Sequence, residues 1–358
     1  MKLVVFGLSI SSSWGNGHAT LWRGLVDALT ALGHEVVFFE RDLPYYAEHR
    51  DLPSLPAGRL ILYPEWTDVA GQAARELADA DVAIVTSYCP DGIVAGELVL
   101  GSTRVARVFY DLDTPVTLTR LAAGEMVPYI GIRGLADYDL VLSYTGGAAL
   151  TALRERLGAR RVLPLYGSVD PRVHRPVAPI ERYRADLSYL GTYAEDRQAG
   201  VLALFVEPAR RRPECRFVVG GAQYPPDFPW TANLHFVRHL PPAEHPAFYS
   251  SSRLTLNVTR APMAALGYCP SGRLFEAAAC GTAIVSDVWA GLNEFFTPGD
   301  ELLTASDTPD VLAAMDLSDA ELARIGRAAR ERVLADHTSA RRGAELVEIL
   351  EGALSVGA

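Results

Sequence analysis

Lysine is almost missing from this chain: of its 33 basic residues only Lys2 is a lysine, and the rest are arginines. A P-loop, a kinase strand, a pyridoxal Schiff base and an aldolase-type imine each need an interior lysine, so those chemistries are excluded. Any phosphate must be held by arginine and by backbone N–H groups. Cysteine is scarce as well. Cys89, Cys215, Cys269 and Cys280 stand far apart with no C-x-x-C pair, which indicates neither a zinc site nor a disulfide framework and fits a reducing compartment. No segment approaches the roughly 18 apolar residues of a membrane span. The opening MKLVVFGLSISSSWGNGH has too short an apolar run for a secretory signal, so the expected location is the cytoplasm. Low-complexity tracts and the G-x-S-x-G nucleophile signature are absent too. A net charge of −10 argues against general affinity for nucleic acid or anionic membrane, both of which need an excess of basic surface.

What is present is a length of 358 residues, enough for two domains, and a regular alternation of β-branched runs with amphipathic stretches. The expected fold class is α/β, with two Rossmann-like doubly wound domains facing each other across a cleft. Strands are expected at Lys2–Gly7, Glu35–Glu40, Leu60–Tyr63, Val82–Ser87, Val105–Tyr110, Leu140–Tyr144 and Val162–Leu165. Leu21, Leu25, Leu29 and Leu32 form one helical stripe that Gly33 closes. The stretch after Leu165, with Pro171, Pro176 and Pro179, reads as a connection. The alternation then restarts, with strands at Leu187–Gly191, Phe217–Gly220, Leu234–Val237, Leu254–Val258, Ala283–Ser286 and Leu302–Thr304. The resulting boundaries are 1–168, a linker 169–184, 185–335 and a terminal helix within 336–358.

Ligands in doubly wound sheets bind where strand carboxyl ends meet helix amino ends, so the turns there carry the candidates. The first turn, SISSSWGNGHATLW, offers Gly15 and Gly17 for close backbone approach to a phosphate, and Trp14 and Asn16 for an acceptor. It is not a G-x-G-x-x-G fingerprint; an acid, Glu40, nevertheless ends the second strand, so dinucleotide binding is weakened but stays open. His18, at the helix start, reads as a catalytic group or as a cap. In VFYDLDTP, Asp111 suits acceptor binding and Asp113 catalysis, or the pair forms a structural turn; two carboxylates alone make a poor metal site, and no metal is expected. The second half offers Gly191 and Gly221 at strand ends and Arg197 in the turn YLGTYAEDR, where an arginine can bind a diphosphate with two N–H groups. Arg260, Ser271, Gly272, Arg273 and Glu276 surround a helix start, with Glu276 placed to accept from two ribose hydroxyls or to face solvent. His235 and His239 lie four apart in a strand-like segment, which does not bring them together.

The segments SGRLFEAAACGTAIVSDVWAGLNEFFTPGDELL, YGSVDPRVHRP, YLGTYAEDR and the tail RERVLADHTSARR resemble glycosyltransferases of the GT-B fold, nearest the CgeB-like (spore maturation protein-like) group and related to glycosyltransferase family 4. The resemblance implies a metal-independent, retaining enzyme without cofactor. It would take a nucleotide diphosphate sugar in the C-terminal domain and a small-molecule or glycan acceptor in the N-terminal one, with the last helix crossing back to the N-terminal domain. Glu276 then takes the place of the ribose-holding carboxylate and Arg197 that of a diphosphate arginine. Two positions depart from the pattern: the glutamate expected eight residues before Glu276 is Tyr268, and the lysine that partners the arginine is missing, leaving Arg260 or Arg273 in its stead. A nucleotide-sugar epimerase on the same fold and a non-catalytic nucleotide-sugar-binding protein are the alternatives.

Overall fold

The computed structural model describes residues 1–355. They form two units, Met1–Tyr166 with the segment from Ser339 onward, and Gly167–Thr338. In the first, seven strands run parallel: β1 (Lys2–Gly7), β2 (Glu35–Arg41), β3 (Arg59–Tyr63), β4 (Val82–Thr86), β5 (Ala106–Asp111), β6 (Leu140–Ser143) and β7 (Val162–Pro164). Their order is β3-β2-β1-β4-β5-β6-β7, so the winding reverses between β1 and β4. In the second unit β8 (Ala185–Leu190), β9 (Phe217–Gly221), β10 (Leu234–Arg238), β11 (Ser252–Asn257), β12 (Ala283–Ser286) and β13 (Leu303–Thr304) order as β10-β9-β8-β11-β12-β13. There the reversal lies between β8 and β11.

The first sheet is apolar on both faces, as a parallel sheet covered on both sides must be. Val4 and Phe6 point into one core with Phe39, Val85 and Phe109. Leu3 and Val5 point into the other with Trp22, Leu25, Leu346 and Leu350. Leu346 and Leu350 belong to the last helix, Ser339–Leu354, which packs on the helix Gly17–Ala31. In that helix Leu21, Leu25 and Leu29 are buried as the stripe predicts, but Leu32 falls just past its end and is exposed. The stripe is cut short because the helix stops at Ala31 and Leu32 is its C-cap.

The segment 169–184 is counted with the second unit. Its backbone is held: Val177 N–H donates to Ser250 Oγ at 3.1 Å and Ile180 N–H to Ser251 Oγ at 2.8 Å, while His174 is buried. The helix Asp319–Asp336 rides directly over the turn before β12. A Cβ placed on Gly326 would lie 2.2 Å from the Gly281 carbonyl oxygen. Gly326→Ala therefore forces helix and turn apart. It is expected to cost about 1–3 kcal/mol and to lower the melting temperature by several degrees in a thermal scan.

Candidate functional site

In the first unit the reversal point is built around Glu40. This fully buried carboxylate ends β2 and accepts from Ser9 Oγ (2.9 Å), Ser11 Oγ (2.6 Å), Ile10 N–H (2.8 Å) and Ser11 N–H (2.9 Å). Its capacity is committed to the loop after β1, which removes the acid that a dinucleotide ribose would need. Asn16 is committed in the same way: its side-chain oxygen caps the following helix at His18 N–H, and its amide donates to the Ser9 and Ser12 carbonyls. Asn16 shapes the loop rather than reaching for an acceptor. Trp14 stacks on His49 with ring centroids 3.9 Å apart, and Gly15 and Gly17 are exposed beside it.

That loop delivers His18 to the end of β5. His18 Nε2 lies 2.6 Å from Asp113 Oδ2, both side chains largely buried, and Nδ1 has no partner in the protein. With Nε2 donating to the carboxylate, Nδ1 holds the free lone pair. Tyr88, after β4, stands edge-on to His18 at 5.9 Å with φ of 61°, a left-handed conformation rare for a tyrosine and of the kind that concentrates at functional sites. Nothing in the local sequence signals this residue.

Asp111 has a different fate from its neighbour. It is fully buried, accepting from Asp113 N–H and Thr117 Oγ1 at 3.1 Å each, with Oδ2 unpaired. The expectation that it binds an acceptor is corrected: no surface of it is reachable. Burial, reinforced by the Asp113 carboxylate, pushes its carboxyl up to about 7. A raised pKa contributes stability that is complete below the ordinary carboxylate range and is lost as pH rises through about 7. Wild-type stability should therefore fall by a few kcal/mol more than that of Asp111→Asn between pH 5 and pH 8, in melting curves recorded across that range.

In the second unit the reversal point gathers arginines. Gly191 and Gly221, at the ends of β8 and β9, touch so closely that a Cβ on Gly221 would lie 2.1 Å from the Gly191 carbonyl oxygen. The Tyr189 ring stands beside two guanidiniums, with Arg197 Cζ 5.9 Å and Arg273 Cζ 5.4 Å from its centroid. Arg197 is buried, donates through Nη2 to the Thr192 carbonyl and leaves Nε unpaired. Burial, and beyond it the neighbouring Arg273 and Arg260 charges, pull its pKa below the ordinary arginine value against the opposing effect of Tyr189. Arg273 donates to the Val258 carbonyl (3.2 Å) and, weakly, to Asn257 Oδ1 (3.4 Å). Among the described residues neither arginine has a carboxylate within ion-pair distance, whereas Arg260 is held by Asp196 through three contacts of 2.7–3.1 Å. The helix Gly272–Ala279 starts at Ser271 with no side chain capping its N–H groups. Tyr189 was not anticipated from sequence, and Arg260 is already neutralised.

Glu276 lies one turn into that helix and is mostly buried. His245 Nδ1 is 3.1 Å and His174 Nε2 3.9 Å from its Oε2. Burial opposes its charge, but the two imidazoles and Arg273 outweigh it and hold the carboxyl at about 2. Neither histidine was legible as a partner. Tyr268, standing where a second glutamate is expected, has φ of 50°, and its ring packs on Gly291.

Comparison with known proteins gives this geometry a context. Residues 197–348 match the protein family described as glycosyl transferase-like. The whole chain superimposes on sucrose-phosphate synthase from Thermosynechococcus elongatus with a TM-score of 0.71, at 13% identity over 99% of both chains. HepE of Anabaena, solved with UDP-glucose, gives 0.69 at 11% identity over 98% of this chain and 100% of its own. An alpha-glucosyltransferase solved with UDP gives 0.71 at 13% identity over 98% of this chain and 100% of its own. The chain has the GT-B fold of these structures, and residues 197–348 carry the glycosyl transferase-like match. No curated protein matches it in sequence. In GT-B terms the arginine pair and Glu276 belong to the second parallel-sheet unit and the His18–Asp113 pair to the first. Among the described residues no helix is long and apolar enough to cross a membrane.

Proposed function

We propose that the protein transfers a sugar from a nucleotide diphosphate sugar to a hydroxyl or amine of a small-molecule or glycan acceptor, in the cytoplasm, with retention and without a metal ion on the diphosphate. The observation that carries this reading is the pair Arg197 and Arg273, two cations beside an uncapped helix start and, among the described residues, with no carboxylate within ion-pair distance. Buried charge of one sign calls for a ligand of the other, and a diphosphate offers it in bidentate form. Glu276 would accept from the ribose hydroxyls, and Gly191 and Gly221 let the backbone come close. UDP is the first base to try, because HepE and the alpha-glucosyltransferase were solved with it.

The transfer follows from the charges. The bond from the anomeric carbon to the diphosphate oxygen breaks, and the negative charge that develops there is met by the two guanidiniums and the helix N–H groups. The acceptor oxygen or nitrogen bonds to the same face of that carbon, and its proton passes to the departing phosphate. His18, oriented by Asp113, holds the acceptor in the first unit, with Gly15, Gly17 and Trp14 beside it. Nearness to the CgeB-like group and to family 4 is part of the same proposal, resting on the segment around Glu276.

Thermal unfolding with UDP, dTDP, GDP, ADP and their sugars tests it. Ligand at about 100 times its dissociation constant should stabilise the native state by roughly 2.7 kcal/mol. Stabilisation by one nucleotide family, followed by turnover with an acceptor and a product of unchanged anomeric configuration by NMR, supports the proposal. A folded protein that responds to no nucleotide overturns it, and inversion would transfer the base role to His18.

A further inference from the structure

We infer that the second unit binds one zinc ion through His174 Nε2, His245 Nδ1 and Glu276 Oε2. These three atoms come from separate segments and lie within 4.8 Å of one another, two of the separations being 3.1 and 3.9 Å. Around tetrahedral zinc, with bonds of about 2.0–2.2 Å, ligand atoms sit about 3.3–3.6 Å apart, so small side-chain shifts complete the set. Two imidazoles and one carboxylate suit zinc, leaving a fourth position for water.

Two observations call for a cation there. His245 Nε2 lies 3.2 Å from the Leu240 carbonyl, which can only accept, so Nε2 carries the proton. In a neutral ring Nδ1 then turns a lone pair towards the Glu276 oxygen, acceptor against acceptor. An imidazolium would mend that contact alone, whereas a cation between the atoms mends it and engages His174 too. His174 is 1% exposed, and neither of its ring nitrogens has a hydrogen-bond partner. A buried polar ring left wholly unpaired is rare without an ion or water to meet it. The hydroxyl of Tyr249, whose ring packs near that of His245, is also buried and unpaired. The bond from His245 to the Leu240 carbonyl is itself what orients a metal-binding imidazole. The ion would tie the segment carrying His174 to the helices His245–Ser250 and Gly272–Ala279. Glu276 Oε1, which no donor among the described residues reaches, stays free for a ligand.

The test uses the full-length, untagged protein, stripped with chelator and titrated with zinc chloride by calorimetry, and with cobalt(II) for its visible bands. Wild type should take up one ion per chain. His174→Ala and His245→Ala should each weaken uptake at least about 100-fold and abolish the cobalt bands. Glu276→Gln, nearly identical in shape, should do the same and guards against loss by misfolding, which circular dichroism of each metal-free variant detects. No uptake by wild type, or unchanged uptake in both histidine variants, overturns the site. Uptake is read without nucleotide, so UDP stabilisation without zinc uptake rejects only the metal site. Zinc uptake without any nucleotide response rejects only the transferase reading.

Discussion

Arg273→Met should sharply weaken the stabilisation by nucleoside diphosphate while changing the stability of the ligand-free protein little. The two halves of this expectation have one cause. Arg197 and Arg273 both stand beside Tyr189, and the repulsion of their like charges offsets what Arg273 gains from Glu276 and its carbonyl acceptor. Removing Arg273 relieves that repulsion and gives up that gain together, and methionine keeps most of the volume. Under the proposed function the same guanidinium would give a bound diphosphate charge-assisted hydrogen bonds, each contributing about 1.5–3 kcal/mol. Affinity should therefore fall by roughly 10- to 150-fold for Arg273→Met, and further when Arg197→Met is added, though not by the simple product because the two charges are coupled. Calorimetric titration with UDP, beside melting curves without ligand, checks both halves. A variant that lost stability without ligand and kept its affinity would show the guanidinium to be structural.

The second large effect concerns Asp113→Asn, which should lower kcat by about 10²-fold by misplacing the acceptor and leave donor affinity unchanged. Asp113 fixes His18 through a 2.6 Å contact at Nε2, which selects the tautomer whose Nδ1 is free. An asparagine can present its amide N–H to the same nitrogen, inverting the tautomer and leaving the wrong ring atom unprotonated. Because the acceptor is not needed for a first measurement, slow hydrolysis of the donor sugar, with water in the acceptor's place, serves as the rate. Equal rates for wild type and variant would remove this pair from the mechanism.

How much of this could be read in advance varies with the length scale of each feature. The strands were legible because a sheet covered on both faces leaves continuous runs such as LVVF and VVFF, and the places of Gly191, Arg197 and Glu276 near strand ends and helix starts were legible because those are marked locally. Asp111 and Asp113 show the limit. D-x-D is one signal, yet two residues of spacing put one carboxylate inside the protein and the other on His18. The partners of Glu276 were beyond reach for another reason. His174 and His245 lie 102 and 31 positions before it, and only the folded sheet brings the three together. Glu40 is the converse: its place at the end of the second strand was plain, but its four donors come from a loop whose path the sequence does not announce.

The last helix has a consequence for how the protein is made. Leu346 and Leu350 complete one of the two cores of the first unit, yet the whole of the second unit is translated before they emerge. On the ribosome, then, the first unit waits with the surface around Trp22 and Leu25 uncovered, while Gly167–Thr338 already has every strand it needs. The part synthesised later is thus the part able to finish folding first, and a chaperone that shields the early half until the final helix arrives would act on that apolar face.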